Sequence, residues 1–126
     1  MAYKKIYDSF WTDPKVKKLS PKEKLLFLYF ITNPHTHYSG IYYLPKYYIK
    51  EETGLSIKEI EYGIDTLSEE YLIRYDEDRE IIWVVNLFKY QEHGEKHLKG
   101  VANYFKRELH KTPLIKEFLK HYSHFN

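Results

Sequence analysis

Three residues, Gly54-Leu55-Ser56, separate two segments that both read as helices, and no other feature limits the possible folds as strongly. Pro45 opens the first segment, Lys46 to Thr53, and Gly54 closes it in the left-handed conformation that glycine adopts without a Cβ clash. Ser56-Ile57-Lys58-Glu59 starts the second as a capping box: the serine hydroxyl accepts from the N–H three residues on, and the glutamate reaches back to the serine N–H. Ile57, Ile60, Ile64 and Leu67 then recur at 3, 4 and 3 residues, a single buried stripe on a helix running to about Glu70. So short a glycine-bearing link joins its helices at a steep angle, which is the helix-turn-helix arrangement.

The flanks complete the picture. Asp13-Pro14 reads as a cap followed by proline at the first helical position, giving a short helix to about Lys18, with Ile6, Phe10, Val16 and Leu19 as core contacts. Ser20-Pro21-Lys22-Glu23 begins a longer helix whose Leu25, Leu26, Leu28 and Tyr29 form one apolar face, and Asn33-Pro34 stops it. Gly40 to Leu44 reads as a short strand. After the second capped helix, Leu72 to Tyr75 and Ile81 to Val85 read as strands joined by the charged turn Asp76 to Glu80, a β-hairpin. Helix, strand, helix, tight turn, helix, hairpin is the order of a winged helix.

Beyond a polar connection from Tyr90 to Gly94, Lys96 to Leu109 reads as a helix with Leu98, Val101, Ala102, Phe105 and Leu109 on one side. Thr112-Pro113 then caps a last helix carrying Leu114, Ile115, Phe118 and Leu119. The expected fold is α+β and mostly α: a winged helix-turn-helix with a two- or three-stranded sheet over residues 1–90, and a helical extension over 91–126 that packs on it or on a partner chain. The first extension helix is expected to pack within the chain and the last to form an interface.

Several chemistries lack their residues. There is no cysteine, hence no disulfide or thiolate. The five glycines are scattered singly, so no phosphate-cradling loop exists, and no Gly-x-Ser-x-Gly elbow is present. Acidic neighbours such as Glu51-Glu52 and Glu69-Glu70 point in different directions on helices. The pairs His35/His37, His93/His97 and His121/His124 each lack the converging third ligand a metal site needs. No catalysis, metal or cofactor is expected. The longest apolar-rich run, Leu25 to Ile31, falls far short of the ~20 residues that span a bilayer, and no apolar stretch follows Met1 to Asp8. A cytoplasmic protein without membrane partners is expected.

A binding role is what remains, and charge and aromatic content give it direction. Residues 1–50 carry nine Lys/Arg against three acids, residues 51–80 three against eleven, and residues 81–126 eight against four. Tyrosine, of which there are 14, joins apolar area to a polar tip and suits interfaces and base stacking. In a helix-turn-helix complex the second helix lies in the major groove. Its outward positions here are Lys58, Glu59, Glu61, Tyr62, Asp65, Thr66 and Glu69, an acidic face that phosphates repel.

Two readings follow. In one, the helix tip (Ser56, Lys58, Tyr62) touches DNA, with phosphate contacts from Lys46, Tyr47 and Lys50 and from the N-terminal lysines Lys15, Lys17 and Lys18. In the other, the acidic helix faces a basic protein surface such as Lys15 to Lys24, or Lys96, Lys99, Lys106 and Arg107, on another subunit. Wings that enter a minor groove use arginine or lysine, and the hairpin offers only Arg79 and Arg74, so a solvated turn is the plainer reading of Asp76 to Glu80. Lys4-Lys5 and Lys15 to Lys24, interleaved with Tyr3, Tyr7 and Trp11, read either as a phosphate-tracking patch or as an ordinary solvated surface.

Longer stretches carry a resemblance. Phe10-Trp11-Thr12-Asp13-Pro14-Lys15-Val16, Leu19-Ser20-Pro21-Lys22-Glu23-Lys24-Leu25-Leu26-Phe27-Leu28-Tyr29, Thr32-Asn33-Pro34-His35-Thr36 and Ser39-Gly40-Ile41-Tyr42 resemble the N-terminal domain of phage replication-initiation (replisome organiser) proteins, which is similar to the bacterial primosomal protein DnaD. Gly54-Leu55-Ser56, Leu72-Ile73-Arg74-Tyr75-Asp76, Trp83-Val84 and Lys89-Tyr90-Gln91 extend it, and it thins into Lys111 to Phe118. The resemblance implies a winged helix that binds origin DNA, self-associates, or both, while helping to load helicase. Its implied partners are duplex and single-stranded DNA, further copies of the chain, and a helicase or helicase loader. The alternatives are an oligomerising scaffold of the same replisome and a winged-helix transcription regulator, which shares the fold alone.

Overall fold

The computed structural model describes residues 3–90, 95–108 and 111–123, with all their side chains except those of 95–99 and 108. A single 3-10 turn at Asp8–Phe10 leads into α1 (Pro14–Lys17), α2 (Pro21–Thr32), β1 (Ile41–Tyr43), α3 (Lys46–Thr53), α4 (Ile57–Glu69), β2 (Ile73–Asp76), β3 (Ile81–Val84), α5 (Leu87–Tyr90), α6 (Glu95–Glu108) and α7 (Leu114–His121). This is a mostly helical α+β chain with a winged helix-turn-helix at its centre.

The helix starts are where the local chemistry places them. Asp13 accepts the Lys15 N–H at 2.8 Å. Ser20 and Glu23 exchange capping-box bonds of 3.2 and 2.9 Å, and Ser56 and Glu59 exchange theirs at 3.1 and 2.9 Å. Gly54, at φ 79°, is left-handed and closes α3 with its N–H on the Lys50 carbonyl. A side chain there is strained, which fixes glycine in the turn.

Sheet order is β1-β3-β2, antiparallel throughout, with Ile41 opposite Trp83 and Tyr75 opposite Ile82. The central strand is buried on both faces. Ile82 and Val84 join Tyr42 and Ile73 in the core under the helix-turn-helix, together with Leu26, Phe30, Ile49, Ile60 and Leu67. Ile81, Trp83 and Val85 point the other way, into a second core with Val101, Phe105, Leu114, Phe118 and Tyr122. A strand alternates its side chains between two faces, so a run as apolar as Ile81 to Val85 needs a layer on each side. The extension α6–α7 is the second layer. It is pinned by Tyr104 Oη donating to the Ile41 carbonyl at 2.8 Å and by Tyr122 Oη donating to the Val85 carbonyl at 2.7 Å.

Several expectations are corrected. On α2 the buried face is Leu26, Phe27 and Phe30, and Leu25 is 45% exposed. Residues 25–31 are apolar in every direction, so periodicity had no power to choose a side there. On α4 the stripe is Ile60, Gly63, Ile64 and Leu67, while Ile57, in the first turn, is exposed. Gly63 belongs to the stripe because α2 crosses so near that a Cβ at this position meets Leu26 Cδ2 at 2.5 Å. Ile6, Ala102 and Leu119 lie outside the cores. Tyr90, expected to open the polar connection, ends a helical turn, Leu87–Tyr90, that buries Leu87 and Phe88. On α7, Leu114 and Phe118 are buried within the chain, and Leu119 is left 57% exposed. Gln91 to Gly94, the side chains of Leu98, Leu109, Lys96 and Lys99, and His93, His97 and His124 lie outside the described residues. No helix among the described residues is long and apolar enough to cross a membrane.

Candidate nucleic-acid interface

With Ile60, Gly63, Ile64 and Leu67 turned inward, a helical rotation of about 100° per residue fixes the rest of α4. Lys58, Tyr62, Asp65 and Glu69 point directly away from the core. Glu59 and Glu70 lie on one flank and Glu61 on the other.

The flanking carboxylates are answered by lysines of the same chain. Lys22, on the first turn of α2, donates to Glu59 Oε2. That lysine, with the Ser56 N–H, holds the Glu59 carboxyl down to about 2. At the other end of α4, Lys18 Nζ lies 3.0 Å from Glu70 Oε1, and Lys15 Nζ donates to the Glu70 backbone carbonyl at 2.7 Å. The last carbonyls of a helix lack intrahelical donors and carry its negative end, so a lysine there satisfies both deficits. Lys46, at the start of α3, bridges Glu61 Oε2 at 3.3 Å and Glu77 Oε1 of the hairpin at 2.6 Å. Burial alone would lower the Lys46 pKa; its bonds to Glu77 and Glu61 overcome that and raise it. Exposed pairs of this kind contribute roughly 0–1 kcal/mol each to stability. Their larger consequence is for the surface potential, since they cancel the charge of the acidic helix along its flanks.

The hairpin tip turns its arginine back on itself. The Arg79 N–H and Nη1 both donate to the Asp76 carboxylate at 3.3 Å, and Thr112 Oγ1, at the foot of α7, donates to Asp76 Oδ2 at 2.8 Å. Asp78 and Glu80 are exposed at the tip.

The ten residues expected to touch DNA therefore divide. Lys15, Lys18, Lys46 and Arg79 are engaged within the chain, and the Ser56 hydroxyl is held by the Glu59 N–H. Lys17, Lys50 and Lys58 are exposed and have no ion pair among the described residues. Tyr47 and Tyr62 are 65% and 69% exposed. Four of these free groups gather on the helix-turn-helix: Tyr47 and Lys50 on the outer side of α3, Lys58 and Tyr62 on the first half of α4. The second half of the outward α4 stripe is Asp65 and Glu69, without lysine partners among the described residues. Sequence reading found the acidic helix but not its neutralisation in place. The signal was the charge segregation itself, a lysine run at 15–24 matched by an acidic run at 59–70.

The histidines hold loops. His35 Nε2 lies 2.8 Å from Glu52 Oε2, and Tyr29 Oη donates to Glu52 Oε1 at 2.5 Å, tying the end of α2 to α3. His37 stacks on Tyr104 of α6 with ring centroids 3.5 Å apart. Among the described residues no three His, Asp or Glu side chains converge as metal ligands. No family model, curated protein or solved structure matches the chain.

Proposed function

We propose that this chain is a duplex-binding winged-helix domain of a phage-type replication-initiation protein, acting in origin binding and helicase-loader recruitment. The observation that carries the duplex contact is the division of α4: its flanking carboxylates are neutralised by Lys22, Lys46 and Lys18, leaving Lys58 and Tyr62 outward on its N-terminal half beside Tyr47 and Lys50. Recognition helices present their N-terminal residues to base edges. That end is also the positive end of the helix dipole. The replication context rests on the resemblance of Phe10 to Val16, Leu19 to Tyr29 and Thr32 to Thr36 to replisome organisers.

The domain docks end-on. Asp65 and Glu69 forbid laying the whole helix along the groove, because phosphates repel them and one carboxylate contact to cytosine N4 does not compensate. Fluorescence anisotropy on a labelled duplex across a salt series tests this. Wild type is expected to lose affinity with a log–log slope near −0.9 per phosphate engaged, and the Lys50→Glu/Lys58→Glu double variant to flatten that slope by about two contacts. Asp65→Asn/Glu69→Gln is expected to bind more tightly. A wild-type slope near zero removes duplex binding.

One observation favours a second reading. Asp65 and Glu69 on α4 and Asp78 and Glu80 at the hairpin tip are exposed and have no ion pair among the described residues. Such acids suit a basic patch on a second copy or on a helicase loader, the scaffold role. Light scattering across concentrations distinguishes it, since the scaffold reading requires assembly that Asp65→Asn/Glu69→Gln weakens.

A further inference from the structure

Lys46 stands on the first turn of α3, four residues before Lys50, so the two lysines leave the helix on the same side. Lys50 is exposed and has no ion pair among the described residues, whereas the Lys46 side chain is only 20% exposed. Lys46 Nζ lies 2.6 Å from Glu77 Oε1, 3.3 Å from Glu61 Oε2 and 5.7 Å from the centroid of the Tyr75 ring. The shorter bond goes to the hairpin tip and not to α4.

One carboxylate is enough to match one ammonium. Glu61 does so on the flank of α4, which makes Glu77 a surplus acid and leaves the three groups with one excess negative charge. A lysine ammonium has three donors, so Lys46 paired with Glu61 alone keeps donors for a phosphate oxygen. Glu77 occupies that capacity and sets a carboxylate where the phosphate would come, and phosphates repel carboxylates.

The rest of the hairpin tip follows the same pattern. Its single cation, Arg79, is folded onto Asp76 through both the backbone N–H and Nη1. The Asp76 side chain is only 7% exposed and also accepts from Thr112 Oγ1 at 2.8 Å. Those bonds fix the turn that holds its neighbour Glu77 over Lys46. Asp78 and Glu80 complete the tip as exposed acids.

Granted the duplex contact on α3 and α4, we propose that the hairpin inhibits it: Glu77 withholds Lys46 from the phosphate backbone. Freed from Glu77, Lys46 extends the row that Lys50 begins, while its bond to Glu61 still neutralises the flank of α4.

Fluorescence anisotropy of the full chain on a labelled duplex across a salt series tests this. Asp78→Asn is the control, since it removes the same charge one residue away, at an exposed position with no ion pair among the described residues. Glu77→Gln is expected to gain one phosphate contact over that control. Its log–log slope steepens by about 0.9, which is roughly an eightfold larger gain in affinity for each tenfold fall in salt. In a Lys46→Met background, which keeps an apolar stem and loses the ammonium, Glu77→Gln and Asp78→Asn are expected to act alike. Equal slopes for the two variants with Lys46 in place overturn the proposal and leave duplex binding standing. So does an advantage of Glu77→Gln that survives in Lys46→Met. Slopes near zero for the wild type and both single variants overturn the duplex contact itself, and the inhibition with it.

Discussion

Replacing Phe118 by alanine tests whether the C-terminal extension belongs to the same folding unit as the winged helix. Phe118 is 3% exposed and lies between both sides of the second core: its ring meets Trp83 at 6.2 Å, Phe88 at 5.5 Å, Phe105 at 5.2 Å and Tyr122 at 4.9 Å. Truncating a buried phenylalanine costs about 3–5 kcal/mol through lost transfer energy and the cavity left behind. Four ring partners place this site near the top of that range, since each aromatic pair adds about 0.5–1.5 kcal/mol beyond area. The expected loss is about 4 kcal/mol, a large part of the 5–15 kcal/mol that typically holds a domain. It corresponds to a fall in Tm of roughly 10–20 °C. In a Trp11→Phe background Trp83 is the sole tryptophan and lies on the sheet, so urea unfolding followed by its emission and by circular dichroism reports both layers. Coincident transitions, shifted together by Phe118→Ala, are expected, while Leu119→Ala, at a 57% exposed position on the same helix, is expected to change stability by less than about 0.5 kcal/mol. A loss below about 1 kcal/mol for Phe118→Ala, or equal losses for the two variants, would refute a jointly folded extension.

Gly63→Ala gains about 1 kcal/mol of helix propensity but drives a Cβ to 2.5 Å from the buried Leu26 Cδ2, and overpacking of about 1–3 kcal/mol is expected to prevail; thermal melts check the sign. Ser56→Ala removes the cap on the Glu59 N–H and is expected to cost about 1 kcal/mol in urea unfolding, and to weaken duplex binding where the start of α4 frays. His37 is held down to about 4 by burial, with the Arg107 charge adding to it, against an ordinary value near 6.5. The unfolded chain takes up that proton first, so the stability due to neutral His37 is complete above about pH 6.5 and is lost as pH falls from there toward 4. His37→Gln is expected to flatten the stability–pH curve in that window, as measured by Tm from pH 4 to 8.

Both capping boxes, Gly54 and the stripe Ile60, Ile64 and Leu67 were legible from the amino acids because their causes are local: a hydroxyl three residues from an N–H, a backbone that only glycine adopts freely, a 3.6-residue turn. The three-residue link between α3 and α4 followed from these. What the order of residues left open was every choice among equal local options. Residues Leu25 to Ile31 are apolar on all sides, and only the approach of α4 at Gly63 turned Leu26 inward and Leu25 outward. The apolar run Ile81 to Val85 announced a buried strand, but that its far face is covered by α6 and α7 of the same chain is a matter of tertiary packing. The candidate interface divides the same way. Which residues carry charge is written along the chain; that Lys22, Lys46 and Lys18 cancel Glu59, Glu61 and Glu70, leaving Lys50 and Lys58 free, depends on side chains up to 52 positions apart meeting across helices. Coulomb energy falls with distance in space and takes no account of distance in sequence, so only the folded arrangement sets which charges remain.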